Sequence, residues 1–241
     1  MTTLRPLAYL RRVYCAGPLF NDAERCEMIR IAECLRRHGF ETFLPHADGM
    51  EFSKVQPTLI DWGHAPEAVG RLLHEAIFAL DIYHVAVGCG SLVLNLNGRV
   101  PDEGAVAEAT IAWMLGKPIV IYKEDVRSMI AGRDNPLVVG QTGFEVTTRM
   151  DDLGPALEAK VAKLAQTMPE ETPCPVSLQR PLDLGGQLWQ RLELLGAARP
   201  ADKVALIILE IFAGYRAGDN KTGPRLPHHQ DGVAAGPKKV Y

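Results

Sequence analysis

"SLVLNLNGRVPDEGAVAEATIAWMLGKPIVIYK", residues 91–123, joins two short apolar runs through a Gly/Pro-bearing loop and a helix-forming stretch of small residues. Short apolar runs bounded by turn residues read as buried strands. A strand, a helix and another strand in that order form the unit of a parallel sheet, because parallel neighbours need a crossover between them. The pattern extends in both directions. Upstream, "RRVYCAGPL" (11–19) reads as a strand ending in a loop at Gly17-Pro18. "NDAERCEMIRIAECLRRHG" (21–39) reads as a helix capped by Asn21 or Asp22, with Met28, Ile31, Ala32 and Leu35 at helical spacing and a stop at Gly39. "FETFLP" (40–45) is a second strand, and "PEAVGRLLHEAIFALDIYHVAVGCG" (66–90) a helix stopped by Gly88 and Gly90. Residues 48–66, with four Gly and Pro breakers, are expected to be a loop over the site.

Downstream, "FEVTT" (144–148) is a candidate fifth strand and residues 153–168 a helix. The proline-rich "PEETPCP" (169–175) reads as a linker to two further helical stretches, "GGQLWQRLELLG" (185–196) and "ADKVALIILEIFAGY" (201–215), expected to pack on the core as a hairpin. Three regions follow from this: an α/β unit at 1–150, a helical extension at 151–216 and a polar Gly/Pro-rich tail at 217–241.

The 241 residues, 47% hydrophobic and 23% charged, suit a soluble globular protein. A net charge of -3 and a pI near 6.2 give no basic surplus for a nucleic-acid surface. Five scattered cysteines without a CxxC pair suit neither a disulfide framework nor a zinc site, and point to a reducing, cytoplasmic setting. No run approaches the roughly 18 apolar residues of a spanning helix. His228-His229 reads as a solvated pair in the tail, and Gly88-x-Gly90 precedes a strand, so it fails the dinucleotide fingerprint. No metal or cofactor is called for.

One residue stands out against the small, apolar stretch around it. Glu108 lies on the expected helix beginning near Glu103, sharing a face with Gly104, Ala105, Ile111, Ala112 and Leu115, while Val106, Trp113 and Met114 make the other face apolar too. A buried carboxylate must be paired, hydrogen-bonded or protonated. An ion pair with Arg99 or Arg133 is one reading; a nucleophile that a substrate can approach over Gly104 and Ala105 is the other. Asp102, at the helix start, either caps the helix or faces the same crevice.

These residues resemble the nucleoside 2-deoxyribosyltransferases over most of the chain. "VYCAGPLF" is similar to the family's first strand and loop, with Tyr14 at the position of an active-site tyrosine and Gly17 in the loop. "FALD" puts Asp81 where members carry a base-binding aspartate. "DEGAVAE" keeps the Asp-x-Gly-x-x-x-Glu spacing of Asp102, Gly104 and Glu108. "RDNPLV" resembles the segment whose asparagine, here Asn135, reaches a neighbouring subunit's sugar site, and the chain ends in Tyr241 as some members end in a tyrosine near the nucleophile. The resemblance implies a flavodoxin-like parallel sheet of about five strands, flanked by helices, with an added C-terminal helical segment. It also implies a homo-oligomer with shared sites, acting on 2'-deoxynucleosides and free nucleobases. Glu108 is then the nucleophile, Asp102 and Asp81 hold the base, and Tyr14 orients Glu108. A hydrolase of nucleosides or nucleoside monophosphates, or a non-catalytic nucleotide-binding module, are the alternatives. The chain departs from compact members at 150–230 and in its AGPL loop.

Overall fold

The computed structural model describes residues 7–50, 52–98, 100–125, 134–167 and 173–213. Helix α1 (Leu7–Leu10) leads into β1 (Arg12–Ala16), α2 (Asp22–Arg37) and β2 (Glu41–Phe43). Then come α3 (Pro45–Asp48), α4 (Phe52–Asp61) and α5 (Pro66–Tyr83), which ends in a π-helical turn at His84–Gly88 before β3 (Ser91–Asn95). The strands and α-helices that follow are α6 (Glu103–Met114), β4 (Ile119–Tyr122), α7 (Pro136–Val139), α8 (Leu153–Thr167), α9 (Val176–Leu194) and α10 (Ala201–Ile208), the last running into a π-helical turn at Leu209–Ala213.

The four strands are all parallel, in the order β2-β1-β3-β4. The chain runs outward from β1 to β2 on one side and from β3 to β4 on the other. The order therefore reverses between β1 and β3, and a crevice opens there beyond the strands' carboxyl ends. This is the α/β parallel sheet the sequence predicts, with one correction. "FEVTT" does not form a fifth strand; it contributes a single parallel bridge, Tyr122 to Thr147. Phe144 takes a left-handed φ of 66° after Gly143 at 69°, which breaks the extended run before it can pair.

Side chains alternate across the strands. Val13, Cys15, Val93, Val120 and Tyr122 pack against α2 and α8 through Met28, Ile31, Leu35, Leu153 and Leu157. Tyr14, Ala16, Phe43, Leu92, Leu94, Ile119 and Ile121 face the other way, towards Ala105, Ala109 and Ala112 of α6. Asn21 caps α2 and forms a capping box with Glu24.

Two expectations change in the helical layers. Residues 52–61 form α4 rather than an open loop: Val55 and Leu59, one turn apart, are buried in a cluster with α5, α9 and α10, and this packing outweighs Pro57 within the helix. Helix α9 starts about two turns before "GGQLWQ" and carries Pro181 inside it. Its close fit on α5 depends on Gly185, where a Cβ would stand 2.0 Å from the Ala79 carbonyl oxygen.

Candidate active site

Strand β1, helix α5 and helix α6 each deliver one side chain to a common point. Tyr14, mid-strand between Phe43 and Leu92, is fully buried on the α6 side of the sheet. Its hydroxyl donates a 2.6 Å hydrogen bond to Glu108 Oε1. Glu108 sits in the second turn of α6, and Asp81 in the last turn of α5 interacts with the same hydroxyl. Ala105, Ala109 and Ala112 bring the helix close to the sheet, which is what lets a carboxylate one turn in reach a tyrosine on a strand.

The electrostatics follow from this crowding. Burial, then the negative charges of Asp81 and Asp102, push the Glu108 carboxyl up to about 8; the Tyr14 hydrogen bond pulls the other way. Burial also raises Asp81 to about 7, again against the pull of Tyr14. Desolvation, with Glu108 and Asp81 adding to it, lifts the Tyr14 phenol well above its ordinary range, so it stays a donor. No ion pair to Glu108 forms among the described residues, and Arg99 and Arg133, the partners considered from sequence, lie outside them.

Asp102 takes the first of the two roles expected of it, the helix cap. Its Oδ1 accepts from the Ala105 amide at 2.6 Å, capping α6, and its charge reaches Glu108. Gly104 lies in the exposed first turn, where a Cβ would come within 3.3 Å of Asp102 Oδ1. Gly17 ends β1 against Met28 and Asn95, with a would-be Cβ 2.5 Å from Met28 Sδ, so the close approach it allows is to the protein's own interior. Asn135 stands apart: it is exposed, it caps α7 by accepting from the Leu137 amide at 3.0 Å, and its side chain makes no hydrogen bond to Tyr14, Asp81 or Glu108 among the described residues. Tyr241 and His228-His229 lie outside the described residues.

Two groupings escaped the sequence reading. Beyond β3, Asn95 and Asn97 both donate to Glu27 at 2.9 Å, and Asn97 accepts from the Glu124 and Asp125 amides, which ties the crevice loop to α2 and to the end of β4. Two asparagines closing an apolar strand were the available signal. Behind Tyr14, Phe43 stacks on it at 5.6 Å and on His84 at 3.7 Å, and Trp189 stands edge-on to Phe43 and His84. Nothing in the sequence links residues so far apart. No group of three His, Cys, Asp or Glu side chains is gathered for a metal among the described residues.

A buried carboxyl, a phenol that donates to it and two further acids are gathered beside the sheet's reversal point, and the comparison with known families decides the kinship. The family model described as nucleoside 2-deoxyribosyltransferase matches residues 13–175, well over half of the chain. The chain belongs to the nucleoside 2-deoxyribosyltransferase family. Tyr14, Asp81, Asp102, Glu108 and Asn135 all fall inside the matched span, whereas α9 and α10 lie wholly beyond it. The family supports a pentosyltransferase-type enzyme acting on nucleosides and nucleobases. Among curated proteins none matches. Among solved structures, the chain is similar to a conserved protein from Enterococcus faecalis V583 at 20% identity and a TM-score of 0.44, covering 62% of this chain and 98% of that one. No helix among the described residues is long and apolar enough to cross a membrane.

Proposed function

We propose that this chain moves 2-deoxyribose between nucleobases by double displacement at Glu108, with residues 1–150 as the catalytic unit. The observation that carries the reading is the Tyr14–Glu108 hydrogen bond beside two further carboxyls. A Glu108 oxygen attacks C1' of the bound 2'-deoxynucleoside as the N-glycosidic bond breaks, and the bonding pair departs with the base. The base takes up a proton as it leaves. Glu108 and Asp81 are both raised towards neutrality and repel one another's charge, so near pH 7 the pair favours holding a single proton. With that proton on Asp81, Glu108 is ionised for attack and an acid stands beside the leaving base, where Asp102 also holds it. The incoming base then attacks C1', breaks the ester to Glu108 and returns a proton to the acids, so two inversions give net retention.

Gly104, and the loop that begins at Gly17, border the substrate crevice in this reading. Asn135 acts in a neighbouring copy. Trp113 (52% exposed), Met114 (58%), Leu137 (82%) and Phe144 (65%) lie on α6 and α7 and in the turn after α7, and Gln141 bonded to Thr110 joins α6 to that segment, which makes an apolar surface suited to a second copy of the chain. The five free cysteines suit a cytoplasmic location.

The test incubates a 2'-deoxynucleoside with a second free base and follows products by chromatography. New nucleoside supports transfer, and free sugar in its place supports hydrolysis. A 2'-fluoro substrate should leave an adduct that peptide mass spectra map to Glu108; an adduct elsewhere overturns the assignment. Mixing inactive Glu108→Ala and Asn135→Ala subunits should restore part of the activity through sites that combine the two intact residues. No recovery after verified subunit exchange would remove Asn135 from the shared site.

A further inference from the structure

A cavity of about 550 Å³, within the range of small-molecule sites, lies behind the Tyr14 site near the amino ends of β1 and β3. The α/β core supplies one wall, and α9 with the turn after it supplies the other, so the cavity exists because the helical extension packs there. Four aromatic rings line it: Phe43, Tyr83, His84 and Trp189. Its charges are nearly balanced, with Arg12 and Arg199 facing Glu41, Asp48 and Glu193. Arg12 is committed to Glu41 through hydrogen bonds of 3.0 and 3.3 Å. Arg199 lies over Trp189, 5.1 Å from its centroid, and gives Nη1 to the Asp48 and Gly49 carbonyls; it has no carboxylate partner among the described residues. Residue Arg199 also holds a left-handed φ of 33° to reach this position.

Hydrogen-bonding capacity is left unspent at this place. Five buried side-chain polar atoms lack a partner among the described residues, and three of them, Thr42 Oγ1, His84 Nε2 and Arg199 Nε, belong to residues that line the cavity, each covered in this state and reached by a ligand only after a side-chain shift. Burial, with Arg199 and Arg12 nearby, pushes His84 down to about 3, so its ring is neutral and offers both a donor and an acceptor. Exposed Glu193 adds an acceptor at the rim, and Tyr83 adds a hydroxyl.

We propose that this cavity is a second small-molecule site, distinct from the Glu108 crevice, that takes an uncharged heteroaromatic compound of the nucleobase or nucleoside class. Aromatic walls favour a planar ring, and mixed donors and acceptors match the edge of a heterocycle. With Arg12 paired to Glu41, a phosphate entering the cavity would meet the Asp48 and Glu193 carboxylates and a cation would meet Arg199, so the mixed lining suits an uncharged ligand best. The inference rests on the cavity alone and not on the catalytic reading.

The test titrates the full-length chain with adenine and, as a charged planar control, benzoate, following tryptophan fluorescence and equilibrium dialysis. Adenine should occupy a site whose affinity falls about tenfold or more in Trp189→Leu and in Glu193→Gln, and is unchanged in Glu108→Gln. Glu193 is exposed, so its variant keeps the fold should Trp189→Leu lose it; circular dichroism checks both. Benzoate should bind at least about tenfold more weakly than adenine. If the catalytic crevice takes no base, this Trp189-dependent site remains and only the earlier reading fails. No adenine site responding to Glu193→Gln, or benzoate bound as tightly as adenine, would overturn the proposal.

Discussion

The two faces of β1 differ by one residue of register and divide the work of the molecule. Val13 and Cys15 point into a closed apolar layer under α2 and α8, while Tyr14, between them, points at Glu108 and Asp81. From Val13 to Ala16 both faces are fully buried. The first face gains stability from burying apolar area, and the second gives some back by desolvating carboxyls that prefer water. A strand fixed so firmly on one side can hold a strained cluster on the other, and a slip of one residue would exchange the two sets.

The comparison predicts opposite symptoms from the two faces. Glu108→Ala, on the face that carries the carboxyls, should on the proposed mechanism lower the transfer rate by several orders of magnitude, about 4 kcal/mol of activation free energy or more, while the protein still melts cooperatively. Single-turnover rates alongside a thermal melt measure both. Leu35→Ala, in the layer under α2, should do the reverse. It removes a fully buried side chain and costs about 3 kcal/mol of stability in a urea titration, with the rate per folded molecule nearly intact. A large rate loss for Leu35→Ala at full folding would erase the distinction between the faces.

Tyr14→Phe is a finer cut, because it removes one oxygen and leaves the ring stacked on Phe43. Without its donor the Glu108 carboxylate loses the one interaction that favours its charged form, so its pKa should climb further above about 8. The rate near pH 7 should drop about 100-fold and recover partly as the pH rises, which a pH–rate profile against the parent would detect. A loss that is the same at every pH would mean that Tyr14 contributes packing only.

Much of this division was legible in the sequence, and the parts that were not have physical causes. The apolar runs and crossover helices gave the parallel sheet, and Asn21 and Asp102 marked the starts of α2 and α6. Helical spacing put Glu108 on a face with Ala105 and Ala112, but its meeting with Tyr14 joins residues 94 apart in sequence, and only the family resemblance pointed there. Helix α4 was hidden by Pro57 between Gly49 and Gly63, because local breakers weigh heavily until the tertiary burial of Val55 and Leu59 is known. The stack of Phe43, His84 and Trp189 has no periodicity at all: it exists because Gly185 lets α9 settle on α5.

Holding a carboxyl beneath the sheet has a cost that can be measured. An unfolded glutamate ionises near 4.5, whereas Glu108 in the fold does so at about 8. Between those two pH values the unfolded chain releases its proton first, so the folded state loses stability relative to it as the pH rises, and the loss is complete above about 8. Glu108→Gln removes the titration and keeps an oxygen to accept from Tyr14. After a discount for the partial exposure of Glu108, the variant should be about 2 kcal/mol more stable than the parent at pH 8. The gain should shrink as the pH falls and vanish below about 4.5, where both side chains are neutral. Urea titrations at pH 4, 6 and 8 read this directly. A gain that is independent of pH would trace the effect to packing rather than to a desolvated charge, and Glu108 would then be an ordinary structural carboxylate.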